Sequence, residues 1–202
     1  MEKIDAGEYS DWVNSFILTM KGKGVGEVPC GDCVGCCTSS KFILVRPTDS
    51  EARSVIPNEL LFSAPSLPEG FHLLGYDGQG HCPMFVNGKC SIYHSRPETC
   101  RQYDCRVLAA TEASIEDENT AVAERVKSWQ FSYKSVKSSE EAESIKRSMA
   151  FLKEHTENFP MGYLPNSDSQ LAALAIRFYK EFTEPVEQDV DEKVRDIISK
   201  YP

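Results

Sequence analysis

Four cysteines fall within eight residues, at Cys30, Cys33, Cys36 and Cys37, in the spacing C-x2-C-x2-C-C. No ordinary apolar core needs sulfur at that density. The other four, Cys82, Cys90, Cys100 and Cys105, form a second group that begins 45 residues later, and the 97 residues after Cys105 contain none. Whatever these thiols do together, the chain between them must fold so that two separated segments meet.

Disulfides are a poor reason for such a pattern here. A chain of 202 residues with 41% hydrophobic and 26% charged residues can build a core without covalent staples. The N-terminus starts acidic and lacks the apolar h-region of a secretory signal. No stretch approaches the roughly 18 apolar residues of a membrane span. A cytoplasmic location is therefore expected, where thiols stay reduced and available as ligands. The formal net charge is -9, and both parts are acidic, with 13 acids against 9 bases through Cys105 and 18 against 13 after it. That balance gives no basic patch for nucleic acid and no reason to expect a membrane partner.

Cysteine binds metal as thiolate, and iron–sulfur clusters and structural zinc both accept four such ligands. A C-x2-C-x2-C run with a later Cys-Pro, here Cys82-Pro83, is similar to the ligand spacing of cluster-binding ferredoxins. Zinc ribbons present two C-x2-C knuckles, whereas the second group here is spaced x7, x9 and x4. The spacing favours an iron–sulfur cluster over zinc, with other thiol chemistry behind both. Neighbouring side chains point apart, so one of Cys36 and Cys37 joins the Cys30/Cys33 site, and the other reaches a second site or packs beside the first. Arg96, Arg101 and Arg106 stand near the second group, where guanidinium groups offset thiolate charge or simply decorate a short helix. His81 and His94 lie close to Cys82 and Cys90, but with eight thiols at hand each is a secondary candidate. His72 and His155 are incidental.

The local signals around these residues are mostly short. Residues 5–21 carry an amphipathic helical stripe of Tyr9, Trp12, Val13, Phe16, Ile17 and Met20. Gly22, Gly24 and Gly26 end it. Lys41–Arg46 reads as a buried strand, and Thr48 with Glu51 matches a capping box for a helix to about Val55. Residues 56–70 read as loop and Phe71–Tyr76 as a strand. Asp77–Gly80 is a turn, and Val86-Asn87-Gly88-Lys89 is a type I′ hairpin that would oppose Cys82 and Cys90. Ser95-Arg96-Pro97-Glu98 combines a capping box with an early-turn proline and so starts a helix carrying Cys100, with Cys105 near or past its end. Beyond it come four helical stripes. Val122, Val126, Trp129 and Tyr133 mark the first, and Ala142, Ile145, Met149 and Leu152 the second. The third runs Leu171, Leu174, Ala175, Phe178 and Phe182 behind a Ser167/Gln170 capping box, and the fourth Val190, Val194, Ile197, Ile198 and Tyr201. Residues 158–165 connect the second and third.

Other chemistry is thin. The chain has no G-x-G-x-x-G, Walker, H-E-x-x-H or G-x-S-x-G pattern. The C-x-x-C pair lacks the strand and helix of a thioredoxin site, and the compact C-x3-C-x2-C loop of radical SAM enzymes is missing.

The order Cys30-x2-Cys33-x2-Cys36-Cys37, Cys82-Pro83, Cys90-Ser91-Ile92-Tyr93 and Arg96-Pro97-x2-Cys100-Arg101-x3-Cys105 resembles the CxxCxxCC, or YkgJ-type, cysteine-cluster family. Its members are described as zinc- or iron-chelating candidates, mostly without assigned activity. Asp104 stands where that family often has proline, a departure that touches no ligand. A branch similar to flagellin lysine N-methylases shares the cysteine block, but residues 107–202 offer no methyl-donor site, so that activity is not carried over.

The expectation is an α+β chain: a small cysteine-rich metal-binding core with a short strand and a hairpin, surrounded by an N-terminal helix and a C-terminal helical region. Its parts would be residues 1–27, 28–106 and 107–202. All eight cysteines (Cys30, Cys33, Cys36, Cys37, Cys82, Cys90, Cys100 and Cys105) are expected as metal ligands. They would hold an iron–sulfur cluster in electron transfer or a redox-linked reaction. The alternatives are a zinc-stabilised interaction module, or metal storage and transfer. A redox or protein partner is implied, and no catalytic residue is identified.

Overall fold

The structure, a computed structural model, describes residues 2–24, 28–113, 115, 120–186 and 189–201. The chain is α+β. Its first part contains β1 (Ile4–Glu8), α1 (Tyr9–Met20), β2 (Ile43–Val45), α2 (Ser50–Val55), β3 (Leu61–Phe62), β4 (His72–Leu74), β5 (Phe85–Val86) and β6 (Lys89–Cys90). Then follow α3 (Glu98–Gln102), α4 (Arg106–Thr111), α5 (Thr120–Ser128), β7 (Trp129–Ser132), α6 (Val136–Glu154), α7 (Asp168–Phe178) and α8 (Val190–Lys200). No described helix is long and apolar enough to cross a membrane. The chain divides into two compact units, one of residues 1–24, 105–116 and 126–202, the other of residues 25–104 and 117–125.

The first unit is mainly helical. The expected stripes on α6 and α7 are its core: Ile145, Leu152, Ala175 and Phe178 are all buried, and α6 packs against α7, α4 and α1. Two expectations give way here. The helix expected over residues 5–21 begins only at Tyr9, because Ile4–Glu8 pairs as a parallel strand with Trp129–Ser132. The stripe expected to carry Trp129 and Tyr133 on one helix ends at Ser128 for the same reason. Two-residue alternation puts Trp129 and Phe131 on one side of β7, with Phe131 centred 4.9 Å from Tyr9 and 4.8 Å from Trp12. The Ser167/Gln170 box is not formed, since Ser167 makes no capping bond. Gly26 lies outside the described residues.

Glu8 stands at the N-cap of α1, where its carboxylate accepts the Asp11 N–H at 2.9 Å and the Ser138 hydroxyl. These bonds, Ser138's first, hold the Glu8 carboxyl below its ordinary 4.5. A depressed carboxyl stabilises the fold only when ionised. Its contribution is complete above the ordinary value and is lost as pH falls through the folded one. The fall in thermal midpoint below pH 4.5 is therefore expected to be shallower in Glu8→Gln than in the native chain.

The second unit holds seven of the cysteines. Its sheet has the order β2-β4-β3, all antiparallel, with Ile43 opposite Leu74 and Leu61 opposite Leu74 on the other side. β3 lies within the stretch expected to be loop, and β2 is shorter than the Lys41–Arg46 run, since Phe42 is 55% exposed. Val45, Ala52, Ile56, Leu74, Cys82 and Met84 form its buried cluster. The hairpin β5–β6 turns through Asn87 (φ 51°) and Gly88 (φ 77°), the left-handed pair a type I′ turn demands.

Candidate metal centre

The first cysteine run folds as a turn followed by a 3-10 turn at Gly35–Thr38. The Cys33 N–H donates to the Cys30 carbonyl at 3.0 Å, and the Cys37 N–H to the Val34 carbonyl at 2.9 Å. Arg125 clamps the start of the run, donating to the Cys30 carbonyl at 3.1 Å. Gly35 is the point of closest approach: a Cβ there would lie 3.2 Å from the Ala121 carbonyl carbon and the Val122 nitrogen. Backbone cannot swing aside as a side-chain tip can. Gly35→Ala is thus expected to cost about 1–3 kcal/mol, read from the denaturation midpoint of the cysteine unit.

Backbone bonds tie the two segments together. The Cys82 N–H donates to the Cys37 carbonyl at 2.8 Å, and the Cys82 carbonyl accepts the Phe85 N–H at 2.8 Å. Phe85 in turn faces Cys90 across the hairpin. The expected opposition of Cys82 and Cys90 across the ladder is thereby corrected, because Cys82 sits in the turn before β5 and packs into the apolar cluster. Cys100 lies on α3, whose start is held from afar. Asp49, 4% exposed, accepts the Arg46 N–H with one oxygen and the Glu98 N–H with the other, each at 2.8 Å. The Thr99 hydroxyl donates to the Leu44 carbonyl at 2.8 Å. The capping boxes expected at Thr48/Glu51 and Ser95/Glu98 are both absent: α2 starts behind Asp49, and α3 makes no side-chain cap with Ser95.

Electrostatics show which thiols are neighbours. The Cys37 thiol donates to Cys90, pushing Cys37 up and drawing Cys90 down to about 6. Cys82 also acts on Cys37, as does Cys36. Burial, then Cys82 and Cys90, push Cys100 up to about 12. Burial and then Cys33 raise Cys30. Arg96 opposes the rise at Cys30 and Cys100 and adds to the fall at Cys90, the only cation acting on all three among the principal influences described. Its guanidinium lies 4.0 Å over the Tyr93 ring and donates to the Tyr93 carbonyl at 2.6 Å. Arg96 and Arg101 also line a polar cleft of about 190 Å³ with Thr48, Ser50 and Ser95.

Seven of the eight expected ligands thus share one unit, as Cys30, Cys33, Cys36, Cys37, Cys82, Cys90 and Cys100. Cys105 belongs to the other, where it is buried and accepts the Trp129 Nε1–H at 3.2 Å. Arg106 likewise lies with Trp12 and Trp129, 6.0 Å from each ring, and donates to the Ala6 carbonyl. None of the eight cysteines is in a disulfide. Among the described residues no three Cys, His, Asp or Glu side chains converge at metal-binding distance. The donor set nevertheless suits a metal in kind and number: many thiols, crowded so that ionising several requires a cation, with one guanidinium already supplied. A cysteine has a single side-chain torsion to the sulfur, so a rotamer change shifts each sulfur without moving the backbone. His81 packs edge-on to Phe85 and His94 to Tyr93.

Sequence reading missed Asp49, Arg125 and Trp129 as parts of this framework. Asp before a short helix is a legible capping residue, but nothing local reveals that its carboxylate reaches Glu98.

No curated protein and no solved structure matches the chain. A family model does match, over residues 29–125, and spans seven thiols of the cysteine unit together with Cys105 and Arg125. The matching model is that of the CxxCxxCC family, described as a "putative zinc- or iron-chelating domain", and residues 29–125 of this chain are similar to it.

Proposed function

We propose that the cysteine unit is a metal-binding module whose thiolates hold an iron–sulfur cluster, serving electron transfer or a redox-linked reaction in a reducing compartment. The observation that carries this reading is the gathering into one unit of seven thiols from segments 45 residues apart, with Arg96 acting on Cys30, Cys90 and Cys100. When bound, such a cluster supplies one-electron chemistry whose potential depends on charge and hydrogen bonding at sulfur. The chain's own residues then have defined tasks. Cys37 and Cys82 anchor the site in the apolar cluster, Asp49 fixes the helix that carries Cys100, and Arg96 offsets thiolate charge.

A second reading, structural zinc, draws support from the influence of Cys82 and Cys90 on both Cys37 and Cys100, since four thiolates make a closed zinc site. One preparation separates the two. The chain is expressed with iron available and purified without oxygen, and iron, zinc and acid-labile sulfide are measured per chain. Iron with matching sulfide and a broad visible charge-transfer band supports the cluster. Stoichiometric zinc in a colourless protein rejects it in favour of the structural module.

A further inference from the structure

The polar cleft of about 190 Å³ in the cysteine unit contains no thiol. Its cations are Arg96 and Arg101, both half-buried. Arg96 is held in place, stacked 4.0 Å over the Tyr93 ring and bonded through Nη1 to the Tyr93 carbonyl. That bond leaves its Nε and Nη2 donors without a partner among the described residues. The ion pair of Arg101 with Asp49 is 3.9 Å long, beyond hydrogen-bond reach. Both Asp49 oxygens are already engaged, by the Arg46 and Glu98 N–H groups. Thr48, Ser50 and Ser95 add three hydroxyls to the cleft, none of them hydrogen-bonded to another described residue.

A guanidinium drawn partly out of water with donors to spare suits an anion, and its fork matches the oxygens of phosphate or carboxylate. Two such groups carry two positive charges, and with three hydroxyls they offer more donors than the two oxygens of a carboxylate fill. The net charge of -9 works against anions settling elsewhere on the surface, so any that binds needs a built site of this kind. We infer that this cleft binds a phosphate dianion, either free orthophosphate or the phosphoryl group of a small monoester. Arg96 and Arg101 meet its charge, and the hydroxyls of Thr48, Ser50 and Ser95 donate to its remaining oxygens. The inference goes beyond the metal-binding reading and uses none of the thiols. Glu51, exposed and lining the same cleft, opposes the anion and supplies an internal control.

The test is isothermal titration calorimetry on the full chain as purified without oxygen, at about pH 7.5, where phosphate is mostly dianionic. Inorganic phosphate, methyl phosphate and acetate are the separate titrants. The native chain is expected to take up one phosphate, and acetate at least about tenfold more weakly. Arg101→Gln should weaken phosphate binding by about tenfold or more, the loss of a charge-assisted hydrogen bond. Glu51→Gln should tighten it by about twofold to fivefold, the scale of one exposed charge pair. Tighter binding of methyl phosphate than of inorganic phosphate identifies an ester as the ligand, and the reverse identifies orthophosphate; either supports the site. Three results overturn the inference: no saturable binding of either phosphate, acetate bound as tightly as phosphate, or native affinity in Arg101→Gln. Because Glu51 is exposed, its substitution leaves the fold intact and tests the placement by itself. Unchanged or weaker phosphate binding in Glu51→Gln also overturns it.

Discussion

Stripping the metal from the reduced chain with excess chelator is expected to unfold residues 28–104 while the helical unit stays folded. The reason is the scarcity of other support in the cysteine unit. Its strands are two or three residues long, and α2 and the part of α5 that falls in it, residues 120–125, have six residues each. Elements that short are not stable by themselves, since helix nucleation costs more than one turn returns and a lone hairpin is marginal. The buried cluster beneath them includes Cys82 itself. Metal binding to thiolates contributes on the order of 10 kcal/mol per structural site at neutral pH, which is the scale of a whole domain's stability. The helical unit has its own resources, including the 19-residue α6 and the buried Ile145, Leu152, Ile176, Phe178 and Phe182. Hydrogen exchange checks this directly. After chelation, amides of β2, β4 and α3 should lose protection while those of α6 keep it, and retained protection in both would contradict the account.

Asp49→Ala is expected to destabilise the metal-loaded chain by about 3 kcal/mol. The substitution removes a buried carboxylate that accepts two backbone N–H groups, and it leaves both donors unpaired. It also removes the partner of Arg101, 3.9 Å away, but that pair is long and part-exposed and adds little. Because the Glu98 bond holds the start of the helix carrying Cys100, the metal should dissociate at least about tenfold faster, the equivalent of 1.4 kcal/mol. Asp49→Asn keeps one acceptor but points an amide donor at the other N–H, so an intermediate loss is expected. Denaturation midpoints and transfer of metal to a chromogenic chelator read the two effects. An Asp49→Ala chain within about 0.5 kcal/mol of native would place the carboxylate among ordinary surface residues.

What was legible in the sequence was local. Asn87-Gly88 specifies its turn by backbone conformation alone, and α6 and α7 follow from apolar spacing because one face of each must be buried. The non-local features were not legible. Ile4–Glu8 becomes a strand because Trp129–Ser132 lies beside it, more than a hundred residues away in sequence, and no turn signal announces a parallel pair. Three apparent capping boxes failed in related ways. At Thr48 the neighbouring Asp49 takes the cap position, at Glu98 a distant carboxylate holds the N–H that Ser95 was expected to organise, and Ser167 bonds to Ser169 instead. For the candidate site, the run of thiols was plain from spacing, and the order of all eight carried the resemblance to the family. The distribution of thiols was not: Cys82 turns into the core beside Cys37, and Cys105 is held by Trp129. Spacing counts residues along the chain, whereas a side chain's direction depends on what packs behind it.

The central claim is that the cysteine unit holds metal, and native mass spectrometry of the chain purified without oxygen tests it most directly. The account predicts a mass above that of the polypeptide by an integral complement of iron and sulfide, or of zinc, lost on acidification together with protection of the cysteine unit's thiols. A chain that flies at its bare polypeptide mass, with the thiols of Cys37, Cys82, Cys90 and Cys100 no better protected before acidification than after it, would contradict the account.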